Sequence, residues 1–245
     1  MHRLDARAVQ YYRDNGYTLF HQPVFSAPQF TRLSALFEQL LAARGGKRMD
    51  ELDTPHFACP ELLDFLMDDA VLDLVEPILG PDFGLWSSHF ICKEPRIGRA
   101  TPWHEDSSYW NGRFDRFDGI VTVWLAIDKV DAANGAMKVI PGTHHNGFSE
   151  YEQVGKENNL FATRAKGVDE AKAVTFDLAP NECSLHDSRI IHGADANTSD
   201  RRRAGYTMRY FSQHLRLIRD NPANQGFKIW HCRGANPHGN PVVNP

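Results

Sequence analysis

Apolar positions along this chain follow two different rhythms. Up to about residue 82 they recur at helical spacing; beyond it they fall into short β-branched and aromatic runs broken by turn residues. Residues 5 to 14 are predicted helical up to the stop Asn15-Gly16, and Tyr17-Thr18-Leu19-Phe20 then reads as extended. Ser26 is a predicted N-cap with Pro28 just inside, after which Phe30, Leu33, Phe37, Leu40 and Leu41 repeat at helical intervals to Gly45-Gly46. Pro60 opens a third periodic stretch, running through Leu79 and closed by Gly80-Pro81.

The second half predicts strands at 84–93, 119–128, 173–178, 182–186 and 204–212. Asn134-Gly135 predicts a hairpin joining 119–128 to Met137-Lys138-Val139-Ile140. Residues 144–170 are polar without strand periodicity and predict a long excursion or lid. The tail after Asp220 is rich in Asn, Pro and Gly, with one docking segment at Phe227, Ile229 and Trp230. Helices first and strands later imply an α+β, mainly β fold, with helices buttressing a β-sandwich or barrel. We expect one domain over 1–245: a mostly helical buttress at 1–82 and a β core at 83–245.

Composition narrows the function. Apolar residues make up 42% and charged residues 24% of the 245, an ordinary globular balance. A formal charge of -4 argues against a nucleic-acid surface, and no apolar run is long enough to span a bilayer, so neither partner is expected. The N-terminus, Met1-His2-Arg3-Leu4-Asp5, turns polar at once, and the four cysteines (59, 92, 183 and 232) form no CxxC pair. A reducing, cytoplasmic setting is the expectation.

Among twelve histidines only His104 has a carboxylate two positions on, Asp106 in Trp103-His104-Glu105-Asp106. On a strand that spacing puts both side chains on one face, where they can share an ion. By itself such a pair is more often a solvated surface pair than a metal site. His192, in Ile190-Ile191-His192-Gly193, would complete a set of two imidazoles and one carboxylate, which leaves open positions suited to Fe(II) oxygen chemistry. A closed zinc site would need a fourth ligand, which His186 could supply. Arg203 ends a basic run and heads the predicted strand Ala204–Phe211, so its guanidinium can face the same cavity and grip a dicarboxylate at two points; Arg209 shares its strand parity.

Trp-His-x-Asp, a Trp-bearing strand, Asn-Gly-x-Met-x-Val-x-Pro-Gly-Thr-His, and His-Gly followed by Asn-Thr-Ser-Asp-Arg-Arg-Arg together resemble the phytanoyl-CoA dioxygenase family over most of the chain beyond residue 85. The resemblance implies a double-stranded β-helix, a jelly-roll or cupin-like barrel, holding Fe(II) and the co-substrate 2-oxoglutarate. It makes His104, Asp106 and His192 iron ligands and Arg203 the partner of the distal co-substrate carboxylate. Trp124 is placed beside the co-substrate by the same match; His89 and Lys93, evenly spaced on the strand before the metal motif, can both face the cavity, and His89 matches a position at which some relatives touch the co-substrate. Many relatives have a hydroxyl residue two places after the distal histidine, where this chain has Ala194, which puts one co-substrate contact in doubt.

The implied reaction consumes O2 and 2-oxoglutarate, releases succinate and CO2, and hydroxylates an unactivated C–H bond of a small metabolite. Desaturation, epoxidation and cyclisation remain open, as do another metalloenzyme chemistry and a non-catalytic small-molecule binder. Relatives that halogenate carry a small residue where Asp106 stands, so oxygenation is expected. Trp103, Tyr109, Trp110, Phe114 and Phe117 cluster around the metal motif, either as an aromatic cavity wall or as packing. Such a wall suits an amphiphilic or cationic ligand. His186, Arg209 and Trp230 are further candidate substrate residues.

Overall fold

The computed structural model describes residues 3–157 and 159–243; Met1 and His2, which open the polar N-terminus, lie outside the described residues. The strands are β1 (Tyr17–Phe20), β2 (Leu52–Asp53), β3 (Phe83–Lys93), β4 (Thr101–His104), β5 (Ile120–Ala126), β6 (Met137–Val139), β7 (Tyr151–Gln153), β8 (Thr163–Ala165), β9 (Val174–Thr175), β10 (Cys183–Asp187), β11 (His192–Ala194), β12 (Arg203–Ser212), β13 (Ile229–Arg233) and β14 (Val242–Val243). A major sheet runs β1-β10-β5-β12-β3-β13-β14, with β2 also on β3; a minor sheet runs β4-β11-β6-β9. The strand neighbours are rarely consecutive in sequence, so each sheet is assembled from both ends of the β region.

The first two helices form where the periodicity, the Gly16 stop and the Ser26 cap predicted them. In α1 (Ala6–Asn15) the Asp5 carboxylate accepts from the Ala8 N–H at 2.7 Å, and Gly16 closes the helix at φ 82°. In α2 (Ala27–Ala42) the Gln29 side chain accepts from the Ser26 N–H at 3.2 Å. The periodic stretch from Pro60 to Leu79 is not one helix. It divides into a 3-10 turn, a short α3 (Leu63–Leu66) and α4 (Asp69–Leu79), because the Asp68 carboxylate accepts from the Ala70 N–H and starts a new helix.

The two faces of the major sheet have separate fates, which strand parity makes plain. On β12 the even positions Ala204, Tyr206, Met208 and Tyr210 join one core with Val121, Val123 and Leu125 of β5, and with Leu33, Phe37 and Leu74 of the helices. Each such apolar side chain contributes roughly 1.5–3 kcal/mol through burial, which is what fixes the helices on this face. The odd positions Arg203, Thr207 and Arg209 instead line a cavity shared with the minor sheet. That cavity measures about 460 Å³.

One turn expectation and one strand expectation fail here. Asn134-Gly135 is no hairpin: β5 and β6 belong to different sheets, and the pair ends a 3-10 turn capped by Asp131, with Gly135 at φ 80°. The side chain of Asn134 donates to the Lys129 carbonyl, so it serves a chain crossing between sheets. The expected strand at 173–178 shrinks to the two residues of β9. The excursion at 144–170 carries its own hairpin, β7 on β8.

Candidate metal centre and co-substrate cavity

His104 is the last residue of β4, and the chain then leaves the strand: Asp106 opens the short helix α5 (Asp106–Tyr109). His104 and Asp106 therefore converge through a turn and not through strand parity, as the i, i+2 argument supposed. β11 lies antiparallel to β4 with His192 directly opposite His104. Asp106 Oδ1 stands 3.6 Å from His104 Nε2 and 4.0 Å from His192 Nε2, and one ligand atom from each of the three residues lies within 4.8 Å of the others. All three residues are buried.

The backbone sets the tautomers. His104 Nδ1 lies 2.8 Å from the Pro102 carbonyl and His192 Nδ1 lies 3.0 Å from the Ile190 carbonyl. A carbonyl only accepts, so both Nδ1 atoms carry hydrogen and both Nε2 lone pairs turn to the shared centre, as metal-ligating imidazoles require. Burial, and then the neighbouring His104, hold His192 well below its ordinary pKa, so it is neutral. Burial alone would push the Asp106 carboxyl up; the His104 contact and the Arg209 cation overcome it and hold the carboxyl far below the usual range. Two imidazoles and one carboxylate fit a divalent metal.

Arg203 faces the cavity from the head of β12. Its guanidinium is buried, its Nε has no hydrogen-bond partner, and Nη1 reaches only the Ile91 carbonyl at 3.4 Å. Burial lowers its pKa to about 10, which still leaves it charged. A buried cation without an anion is costly, and this guanidinium has donors free to take a carboxylate. The guanidinium carbon sits 5.4 Å from the centre of the Trp124 ring.

The remaining sequence candidates separate. His89, Tyr109, Trp110, His186 and Arg209 all line the cavity with Trp124. His89 Nε2 faces the Asp50 carbonyl at 3.1 Å, which ties it to the cavity mouth. Lys93 is inside the sandwich but outside the cavity wall, because its ammonium donates to the carbonyls of Ala194 and Asp195. Burial, then Arg203, lowers its pKa to about 6. Trp103 packs with Ile140 and Ala165, and Phe114 with Trp86 and Phe211; Phe117 joins the second of these clusters. Trp230 packs on His56 and Phe57. These four rings are core and do not line the cavity.

Sequence reasoning missed Thr122, Ser87 and Phe161. Thr122 shares parity with Trp124, and Ser87 with His89, so both were findable once the inner face was known. Phe161 comes from the aperiodic excursion and meets the His104 ring edge-on at 4.9 Å. That excursion is clasped to the metal motif: the buried Glu105 carboxylate accepts from the Ser149 N–H at 2.7 Å and the Ser149 hydroxyl at 2.8 Å.

Residues 12–205 match the family model described as phytanoyl-CoA dioxygenase (PhyH). A phytanoyl-CoA dioxygenase domain-containing protein 1 homolog of Caenorhabditis elegans is 28% identical over 160 residues, covering 62% of this chain and 55% of the relative. An L-proline trans-4-hydroxylase of Streptomyces griseoviridis is 27% identical over 164 residues, covering 58% and 59%. The chain thus spans a little over half the length of these curated relatives. Among solved structures, the non-heme monooxygenase ThoJ superposes with a TM-score of 0.78 at 21% identity, covering 97% of this chain and 86% of that one. EvdO2 from Micromonospora carbonacea, complexed with 2-oxoglutarate, gives 0.73 at 23% identity, covering 91% and 97%. The likeness extends over nearly the whole chain and identifies the paired sheets as the double-stranded β-helix. With both halves of the metal motif and Arg203 inside the matched region, this chain belongs to the phytanoyl-CoA dioxygenase family.

Proposed function

We propose that this chain is an Fe(II)- and 2-oxoglutarate-dependent dioxygenase that hydroxylates an unactivated C–H bond of a small metabolite, with succinate and CO2 as co-products. The observation that carries this reading is one buried cavity holding His104, Asp106 and His192 around a common centre, together with an unpaired guanidinium at Arg203. His104 Nε2, a carboxylate oxygen of Asp106 and His192 Nε2 would hold iron. Bound there, iron(II) with 2-oxoglutarate and O2 supplies the power to oxidise a C–H bond. The family match and the similarity to an L-proline trans-4-hydroxylase support hydroxylation of a small molecule.

The chain's own part is positional. Arg203 offers two parallel N–H donors to the distal carboxylate of 2-oxoglutarate, with the Trp124 indole alongside as a wall. The two backbone-fixed imidazoles keep their lone pairs directed inward. Tyr109 and Phe161, 4.9 Å apart between ring centres, both pack against the His104 ring and flank the metal side of the cavity. No helix among the described residues is long and apolar enough to cross a membrane. The test is succinate formation by purified protein given Fe(II), 2-oxoglutarate and air, alongside Asp106→Ala. No 2-oxoglutarate consumption above the Asp106→Ala background, with or without a screen of small metabolites, would sink the reading.

A further inference from the structure

Across the inner face of the major sheet runs a row of polar side chains. Strand register sets His186 of β10 opposite Thr122 of β5, Thr122 opposite Arg209 of β12, and Arg209 opposite Ser87 of β3. All four line the cavity. Three present buried polar atoms with no partner: His186 Nδ1, Thr122 Oγ1 and Arg209 Nε. Interiors rarely leave such atoms unsatisfied, and several adjacent in one cavity wall form a surface suited to a polar ligand.

Arg209 is the extreme case. It is 9% exposed, and its nearest charge is Asp106 Oδ2 at 3.7 Å, beyond hydrogen-bond reach of Nε. Its guanidinium carbon stands 5.3 Å from the Trp110 ring centre. Arg203 and Arg209 lie on the same face of one strand, six residues and so about 20 Å apart along the backbone. Arg209 is the one near the metal motif, away from a co-substrate held by Arg203, and its ion-pair partner there, Asp106, is itself a candidate metal ligand. Three guanidinium groups line the cavity, but Arg113 donates to Asn224 Oδ1 at 2.7 Å and lies over the Phe227 ring at 4.2 Å, so among the described residues Arg203 and Arg209 are the two set against the buried Asp106 carboxylate, while a divalent metal and a dianionic co-substrate would cancel each other. The other wall carboxylates are Asp50, Glu51 and Asp53: Asp50 is neutralised by Arg99 at 2.9 Å, Glu51 is exposed, and Asp53, 3.7 Å from His89, is mostly in solvent.

We infer that the substrate carries an oxyanion of the carboxylate class and that Arg209, flanked by Thr122 and Ser87, is the residue that selects it. The inference rests on the oxygenase reading and adds the charge of the substrate to it. The guanidinium gives the anion a two-point contact, Thr122 donates its free hydroxyl beside it, and Trp110, Trp86 and Phe227 form an apolar wall for the rest of the molecule. This reverses the cationic ligand that the aromatic cluster alone suggested.

The test uses whole protein loaded with Fe(II) and 2-oxoglutarate under argon, which fills the Arg203 end. Straight-chain and aryl monocarboxylic acids are compared with their own primary amides by titration calorimetry. At least one acid should bind at least tenfold more tightly than its amide, with that preference abolished in Arg209→Leu and partly kept in Arg209→Lys. Equal binding of every acid and its amide to the unaltered protein overturns the inference, as does an acid preference that survives Arg209→Leu. Arg203→Leu, titrated with 2-oxoglutarate alone, separates the two readings. If acids bind through Arg209 but the protein never consumes 2-oxoglutarate in air, the oxygenase reading fails and the subsite stands. If 2-oxoglutarate is consumed but acids show no preference, only the subsite fails.

Discussion

The indole of Trp124 covers the bare Cα of Gly205. A Cβ built on Gly205 would lie 2.1 Å from Trp124 Cζ2 and 2.4 Å from Cη2, a distance no real pair of carbons tolerates. Gly205 is thus what allows a tryptophan on β5 to lie across β12, next to Arg203. Gly205→Ala should push the indole into the cavity and loosen the co-substrate seat. We expect the KM for 2-oxoglutarate to rise at least about tenfold, a loss of roughly 1.4 kcal/mol, while the affinity for Fe(II) changes little. A co-substrate KM unchanged in a folded Gly205→Ala protein would remove Trp124 from the pocket.

Removing a metal ligand should act on the metal before it acts on anything else. The two imidazoles are already fixed by the Pro102 and Ile190 carbonyls, so Asp106→Ala and His192→Ala leave two donors in place and no facial set of three. Iron retained after dialysis should drop at least about tenfold in each variant, and succinate formation by about a thousandfold or more. Metal content measured by atomic emission checks the first effect independently of turnover. Full iron occupancy in both variants would place the ion elsewhere.

Much of this was legible in the sequence, and the failures have physical causes. The caps at Asp5, Ser26 and Gly16 are local chemistry, so the helices they bound were readable. The odd-even split of β12 was also readable, since Arg203, Gly205, Thr207 and Arg209 alternate with Ala, Tyr, Met and Tyr, and only one of those sets belongs in a core with helices. Asn134-Gly135 misled because a turn signal carries no information about which sheet the next strand joins. Trp103, Phe114 and Phe117 misled because proximity in sequence to a metal motif says nothing about the side from which a ring faces it. Lys93 did have inward parity; its position was undone by carbonyls from a segment a hundred residues on, which no strand pattern reveals.

The clasp between Glu105 and Ser149 predicts a change in order as well as in rate. Glu105 is fully buried between two metal-ligand positions, and Tyr151 adds a second tie by sharing a hydrogen with Ser108 at 2.5 Å. Ser149→Ala removes one donor and leaves a buried carboxylate half satisfied, at a cost of about 1–3 kcal/mol. The excursion carrying Phe161 should then open more often. Hydrogen exchange of residues 149–165 should speed up by about tenfold or more, and 2-oxoglutarate should be consumed with less oxidised product per succinate. Unaltered exchange over those residues would mean that the hairpin holds without the clasp.

Acid lability should arise partly from a histidine remote from the metal. Tyr206 donates its hydroxyl to Ser88 Oγ at 2.9 Å, and Ser88 Oγ in turn lies 2.7 Å from His56 Nδ1. With its hydroxyl hydrogen directed onward, Ser88 donates to His56, so Nδ1 accepts and the ring is neutral. Burial lowers the His56 pKa to about 4. The sign follows from linkage: the unfolded chain takes up a proton near pH 6.5, the folded one only near pH 4, so stability is complete above about 6.5 and is lost as pH falls toward 4. One such group is worth up to roughly 3 kcal/mol across that window, or about 6–12 °C in Tm for a chain of this size. His56→Gln keeps an acceptor for Ser88 but cannot take the proton. Measured in metal-free protein with chelator present, its Tm should start below that of the unaltered chain at pH 7.5 and then fall several degrees less by pH 4.5. His186, also lowered to about 4 by burial, remains to titrate in both proteins, so the slope should be reduced and not abolished. Parallel Tm curves for the two proteins between pH 7.5 and 4.5 would show that His56 does not carry the acid sensitivity.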